Sequence, residues 1–263
     1  MSDSILLSID GGLARLTLNR PAYLNATDFE MGTLWRDLAH RVTSDPEVKA
    51  ILLDAAGPAF CAGGDVIAMA SSGAGGSAVA GMAQVIHEGI RTFAHSDKPI
   101  VAAVQGAVAG GGLGIMLAAD YIVASDSARF VSKYANIGLT PDLGVSTLLP
   151  AAIGQRRALQ LLLQDRAIDA PTALEWGLVA EVVPAAELAD RAHAVARFWI
   201  DNASAAFGQA KRLVRVGADR TFAENLDDEA ATIGASFDTD ESKVRVAAFA
   251  AASRKQSAPK EDS

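Results

Sequence analysis

The sequence predicts an α/β core over residues 1–200 followed by a helical extension over 201–263. Three observations carry this. Short apolar runs alternate with helical patterns in the first part of the chain, which argues for strands covered on both faces. From Ala185 onward no strand pattern occurs, and helical patterns fill Leu188 to Ile200, Ala203 to Val216, Glu224 to Phe237 and Ser242 to Ala252. Two glycine-rich turns follow apolar runs directly, as tight strand-to-helix turns do.

Taken in order, Ile5 to Ile9 runs into Asp10-Gly11-Gly12, a hairpin signal. Ala14, Leu16 and Leu18 then alternate with Arg15, Thr17 and Asn19, the period of a half-buried strand. Thr27-Asp28-Phe29-Glu30 reads as a capping box in which the Thr27 hydroxyl and Glu30 carboxylate close a helix start. Leu34, Leu38 and Val42 continue that helix, and Ser44-Asp45-Pro46 stops it. Ala50 to Asp54, Ile100 to Val104, Tyr121 to Ala124 and Val179 to Val183 are candidate buried strands. Ala70 to Gly81, rich in Gly, Ser and Ala, reads as a mobile loop.

Composition bounds the function classes. Half of the 263 residues are apolar and 6% are aromatic, as in a globular protein. The net charge of -8 opposes attraction to nucleic acid or an anionic membrane, although Lys211, Arg212, Arg215 and Arg220 form a basic cluster. The one cysteine, Cys61, excludes an intrachain disulfide and fits a reducing compartment. The first residues carry no basic segment of a signal peptide, and no apolar run reaches membrane-spanning length. These features predict a cytoplasmic protein. No His/Cys/Asp spacing suggests a metal.

The first glycine turn is Phe60-Cys61-Ala62-Gly63-Gly64-Asp65. The second is Gln105 to Gly112, and it opens a helix predicted over Leu113 to Ala119. Consecutive glycines at a helix start leave backbone N–H groups uncovered, which suits a developing negative charge. On the residues alone, tight turns requiring positive φ explain either run equally well. No G-x-G-x-x-G can be laid over Gly106 to Gly114, so a dinucleotide site is disfavoured.

The two turns stand in a longer series. Leu18-Asn19-Arg20-Pro21, Asn25-Ala26, the first turn, Lys98-Pro99 through Gly106, Gly110-Gly111-Gly112 and Ala118-Ala119-Asp120 occur in this order. Ser127-Ala128-Arg129-Phe130, Gly138-Leu139-Thr140-Pro141-Asp142 and Glu175-Trp176-Gly177-Leu178-Val179 follow. The series resembles the crotonase superfamily of enoyl-CoA hydratases and isomerases. The resemblance implies a crotonase-like α/β spiral of ββα units with a C-terminal helical extension that forms homotrimers, often paired into hexamers. It implies an acyl-CoA thioester as substrate, coenzyme A being part of the substrate and no separate cofactor. The oxyanion donors would be the N–H groups of Gly64 and Gly111. Ala62, Asp65, Val66, Gly110, Tyr134, Tyr23 and Leu24 would contact substrate. Two preset donors stabilise a thioester enolate without reorganisation, each worth about 3 kcal/mol in comparable sites.

The chain departs from the hydratase pattern. The family's two catalytic glutamates fall at Gly114 and Tyr134 here, and Tyr23 stands where the family has a CoA-contacting lysine. Asp142 occupies the slot of the isomerase branch's single acid. One carboxylate can remove a proton from one carbon of an enoyl-CoA and return it two carbons away. By itself Asp142 reads more readily as a cap of the following helix. His87, beside the stripe Met82, Ile86, Ile90 and Phe93, matches a histidine of the 4-chlorobenzoyl-CoA dehalogenases, where the Asp attacks the ring and the His activates water. A partly exposed helix histidine is the ordinary alternative. A Δ3,Δ2-enoyl-CoA isomerase-like proton shift is therefore the expected chemistry. The alternatives are a hydratase with relocated acids, an aromatic acyl-CoA dehalogenase or hydrolase using Asp142 and His87, and a non-catalytic acyl-CoA-binding relative.

Overall fold

The computed structural model describes residues 4–256 except 74 and 165. Strands β1 (Ile5–Asp10) and β2 (Leu13–Leu18) form the antiparallel hairpin expected at Asp10-Gly11-Gly12. Strands β3 (Ala50–Ala55), β4 (Ile100–Val104), β6 (Tyr121–Ser125) and β9 (Glu181–Val183) add to it in parallel, in the order β1-β2-β3-β4-β6-β9. The last strand is two residues shorter than its apolar run, because Val179 and Ala180 lie outside the ladder. A second sheet of β5 (Ala107–Ala109), β7 (Arg129–Val131) and β8 (Ile168–Asp169) stands beside it.

The apolar strands are continuous because both faces are covered. Ile51 and Leu53 of β3 pack toward Trp35 of α1 (Phe29–Ser44) and toward Ile86 and Phe93 of α3 (Gly76–His95). Leu52 faces Leu188, Ala192 and Val195 of α7 (Leu188–Asp201) on the other side. Trp35 and Phe93 meet edge to face at 5.0 Å, a pairing worth about 0.5–1.5 kcal/mol beyond burial.

Short helices α2 (Val66–Ser71), α4 (Gly111–Leu117) and α6 (Ala170–Trp176) and the longer α5 (Val145–Leu163) complete the core. The tail forms α8 (Ser204–Gly217), α9 (Phe222–Phe237) and α10 (Asp240–Gln256). The buried Lys211 ties α8 to the core: its Nζ donates to the carbonyls of Phe93 (2.7 Å) and Lys98 (2.6 Å) and lies 3.3 Å from Asp120. The basic cluster seen in the sequence is thus internally neutralised. Arg215 also pairs with Asp120, and Arg212 and Arg220 both pair with Asp228. Val214, Phe222, Ile233, Val244 and Phe249 of the tail are more than two-thirds exposed, a large unpartnered apolar surface.

Two expectations change. Asp28, not Thr27, caps α1, its carboxylate accepting the Met31 N–H at 2.9 Å. Thr27 is buried and bridges to Gly64 instead. A true capping box closes α9, between Thr221 and Glu224. The stretch Ala70 to Gly81 is mostly helical, divided between α2 and the first turns of α3. Its small residues hid Val79, which extends backwards the apolar stripe Met82, Ile86, Ile90 and Phe93 recognised in the sequence.

Candidate active site

The site begins where the two glycine turns are stitched together. Ala109 donates to the Cys61 carbonyl at 2.9 Å, and Cys61 donates to that of Ala107 at 3.2 Å. Thr27 then pairs with the first turn: its N–H donates to Gly63 (2.7 Å) and its carbonyl accepts from Asp65 (3.0 Å). In such a parallel bridge the central residue's own amide points away from the partner. The Gly64 N–H accordingly has no acceptor among the described residues. Helix α4 starts at Gly111, two residues earlier than predicted, so the Gly111 N–H is one of the free donors of its first turn. Gly63 sits between the turns with φ 103°, and a Cβ on it would come within 2.9 Å of the Ala109 carbonyl oxygen. Only glycine allows this approach.

Gly64 and Gly111 line one cavity of about 220 Å³. Ala62, Val66, Gly110, Tyr134 and Asp142, all singled out in the sequence, line it as well. Met69, Met82, Ile86 and Leu139 supply apolar walls. Leu143 was not foreseen, since nothing in its spacing marks it, yet it lines the cavity too. A Cβ on Gly111 would stand 3.6 Å from Asp142 Oδ1, which puts that carboxylate beside the helix start.

Asp142 does not cap α5, whose N-cap is Gly144 with no side-chain bond. Instead its Oδ1 accepts the Tyr134 hydroxyl at 2.6 Å. Burial, then the neighbouring Asp142 charge, hold the Tyr134 phenol far above its ordinary pKa, so it remains a donor. Gly114, the first hydratase position, has no room for a side chain. A Cβ there would fall 2.2 Å from the Leu143 carbonyl oxygen. The backbone after Asp142 fills the space that an acid at position 114 would need.

Four residues from the sequence analysis fall outside the lining of this cavity. Tyr23 and Leu24 are exposed, with Arg20 stacked 4.6 Å above the Tyr23 ring; the Leu24 carbonyl anchors Ala62 at 3.0 Å. Asp65 caps α2 through the Ala68 N–H (2.9 Å) and reaches Arg20 at 3.1 Å. The Ala68 bond, and then Arg20, hold its carboxyl below the usual range. The fourth is His87, half-buried on α3, whose Nε2 accepts the Leu143 N–H at 3.0 Å. Burial, and secondarily Arg91, lower its pKa against the opposing pull of Asp142. Cys61 is fully buried, its thiol pushed up to about 11 by burial, as suits packing rather than nucleophilic attack.

The arrangement offers one carboxylate and two open backbone donors in an apolar cavity, which can hold an acyl carbonyl and move a proton beside it. Comparison with known proteins identifies the family. The family model described as enoyl-CoA hydratase/isomerase matches residues 8–257. The 1,2-epoxyphenylacetyl-CoA isomerase of Escherichia coli K12 is 33% identical over 229 residues, covering 86% of this chain and 87% of the relative. The carnitinyl-CoA dehydratase of Escherichia coli O157:H7 is 32% identical, covering 86% and 85%. The crystal structure of an enoyl-CoA hydratase/isomerase from Cupriavidus metallidurans superposes with a TM-score of 0.86 at 29% identity, covering 95% of this chain and 94% of that one. With a mixed α/β core, a helical C-terminal region and matches over nearly its whole length, the chain belongs to the enoyl-CoA hydratase/isomerase family of the crotonase superfamily.

Proposed function

We propose that this enzyme catalyses a Δ3,Δ2-enoyl-CoA isomerase-like proton shift with Asp142 as its single base. The observation that carries the reading is the closed position 114: the Leu143 backbone fills it, while Asp142 lines the cavity beside Gly111. In the proposed reaction the Asp142 carboxylate takes a proton from C2 of a 3-enoyl-CoA. The C2–H bonding pair becomes the C1=C2 bond and the carbonyl π pair moves onto the thioester carbonyl oxygen, giving a dienolate whose oxygen is held by the Gly64 and Gly111 N–H groups. The carboxyl then returns the proton to C4, and the double bond settles between C2 and C3. One base and one oxyanion site suffice, and no water is consumed.

A hydratase needs a second acid-base group to activate water, and Gly114 and Tyr134 supply no carboxylate. The dehalogenase-like alternative needs a free His87 nitrogen outside the Leu143 bond. The substrate assigned in this reading is an acyl-CoA thioester, with no nucleic acid, membrane or separate cofactor. Among the described residues no helix is long and apolar enough to cross a membrane. A cytoplasmic location belongs to the same proposal.

Asp142→Asn tests the base. With a 3-enoyl-CoA followed by ultraviolet absorbance of the conjugated product, kcat should fall at least ~10²-fold. Acyl-CoA affinity should change little, because cavity and donors stay intact. Retained turnover would sink the assignment. The exposed tail is proposed as an assembly surface beginning near residue 201, in a homotrimer or a hexamer. A monomer by light scattering at micromolar concentration would refute that.

A further inference from the structure

We propose that His87 is a positioning residue, whose Nε2 accepts the Leu143 N–H and so holds the turn that presents Asp142 to the cavity. The inference rests on Asp142 as the base. Leu143 and Gly144 both have left-handed backbones, with φ of 49° and 79°. For a residue with a Cβ such as Leu143 this is an unfavourable conformation that persists only when its surroundings hold it.

Those surroundings are specific. The Leu143 side chain is buried, and its carbonyl and Cβ press on Gly114 of α4. Its N–H points the other way, into α3, where His87 is the acceptor. Asp142 is therefore clamped twice: Tyr134 holds its Oδ1, and His87 holds the peptide that follows it.

The same bond argues against His87 as a base. Accepting an N–H requires the Nε2 lone pair, so the neutral ring's proton is assigned to Nδ1. To take a proton from water, Nε2 would first have to release Leu143. His87 also falls outside the cavity lining. Burial and Arg91 oppose the protonated ring, which could not accept at all, while Asp142 favours it.

The test uses the full chain with His87→Gln and His87→Leu. Two readouts are taken: steady-state conversion of a 3-enoyl-CoA, and hydrogen exchange of the Leu143 amide without substrate. Glutamine places its amide oxygen near the reach of Nε2, so His87→Gln should keep kcat within about 3-fold and the amide protected. His87→Leu should lower kcat about 10- to 100-fold with little change in KM, since a misplaced base costs rate rather than binding. Its Leu143 amide should exchange at least ~10-fold faster. If that variant does not fold, His87→Asn, too short to reach Leu143, replaces it.

Three results overturn the proposal. One is His87→Gln losing as much as His87→Leu; another is His87→Leu with wild-type exchange and rate. The third is an Asp142 ester accumulating by mass in His87→Gln on a haloaryl-CoA, which would make His87 a base. A wild-type enzyme inert toward 3-enoyl-CoA would refute the isomerase reading instead, and Leu143 exchange would still decide the part played by His87.

Discussion

Gly114→Ala probes the geometry that separates this chain from the hydratase pattern. A single methyl group there would lie 2.2 Å from the Leu143 oxygen, 2.7 Å from its Cβ and 2.9 Å from its carbonyl carbon. Reaching even the 3.0 Å limit of real Cβ contacts demands a shift of about 0.8 Å, and the obstructing atom is backbone, not the end of a flexible side chain. Overpacking of this kind costs about 1–3 kcal/mol. For a chain of this size that lowers the melting temperature by about 2–12 °C. Whatever moves Leu143 also moves Asp142, and a misplacement near 1 Å can cost about 10²-fold in rate. Thermal unfolding and steady-state isomerisation of a 3-enoyl-CoA would therefore both respond, with kcat falling and KM largely kept. Gly114→Glu should behave no better and should gain no hydration of 2-enoyl-CoA, since the carboxylate has nowhere to go. A Gly114→Ala protein with wild-type melting temperature and kcat would refute the reasoning.

Two further outcomes follow from named contacts. Tyr134→Phe removes the hydroxyl that orients Asp142 Oδ1 at 2.6 Å; hydrogen bonds to charged groups contribute about 1.5–3 kcal/mol, so kcat should drop roughly 10- to 100-fold with KM little changed. An unchanged kcat would mean that the hydroxyl does not orient the base. Burial raises the Cys61 thiol to about 11, so at pH 8 the thiol is almost entirely protonated; a thiol-alkylating reagent should leave the native protein unmodified and label it once unfolded. Rapid labelling of the native protein at pH 8 would contradict this placement.

Much of the architecture was legible in the sequence because it is written locally. The strands of the larger sheet declared themselves as short apolar runs, for β3 and β4 require apolar residues on both faces, whereas β5, β7 and β8, only two or three residues long, left no run to read. The hairpin followed from Asp10-Gly11-Gly12, and the tail helices from their periodicity. The two glycine turns, their order and the residues between them carried the family. Composition misled where small residues suppressed the hydrophobic pattern, as in Ala70 to Gly81, whose helical wall includes Val79.

What the tertiary structure alone decided depends on residues far apart in the chain. Position 114 is closed because the Leu143 backbone, 29 residues on, occupies it, and no spacing rule announces that contact. Asp142 meets Tyr134 rather than the next helix, since α5 begins only at Val145 and its cap is Gly144. His87 meets Leu143 across a separation of 56 residues, which turns a histidine beside an apolar stripe into a hydrogen-bond acceptor for a strained turn. The basic cluster Lys211, Arg212, Arg215 and Arg220 is neutralised because Asp120 and Asp228 fold against it. Local pattern determines which residues become strand, turn or helix, because backbone preference and amphipathic period act over a few residues. Which donor meets which acceptor is settled by packing of the whole chain, where a buried polar group must find a partner wherever the fold brings one.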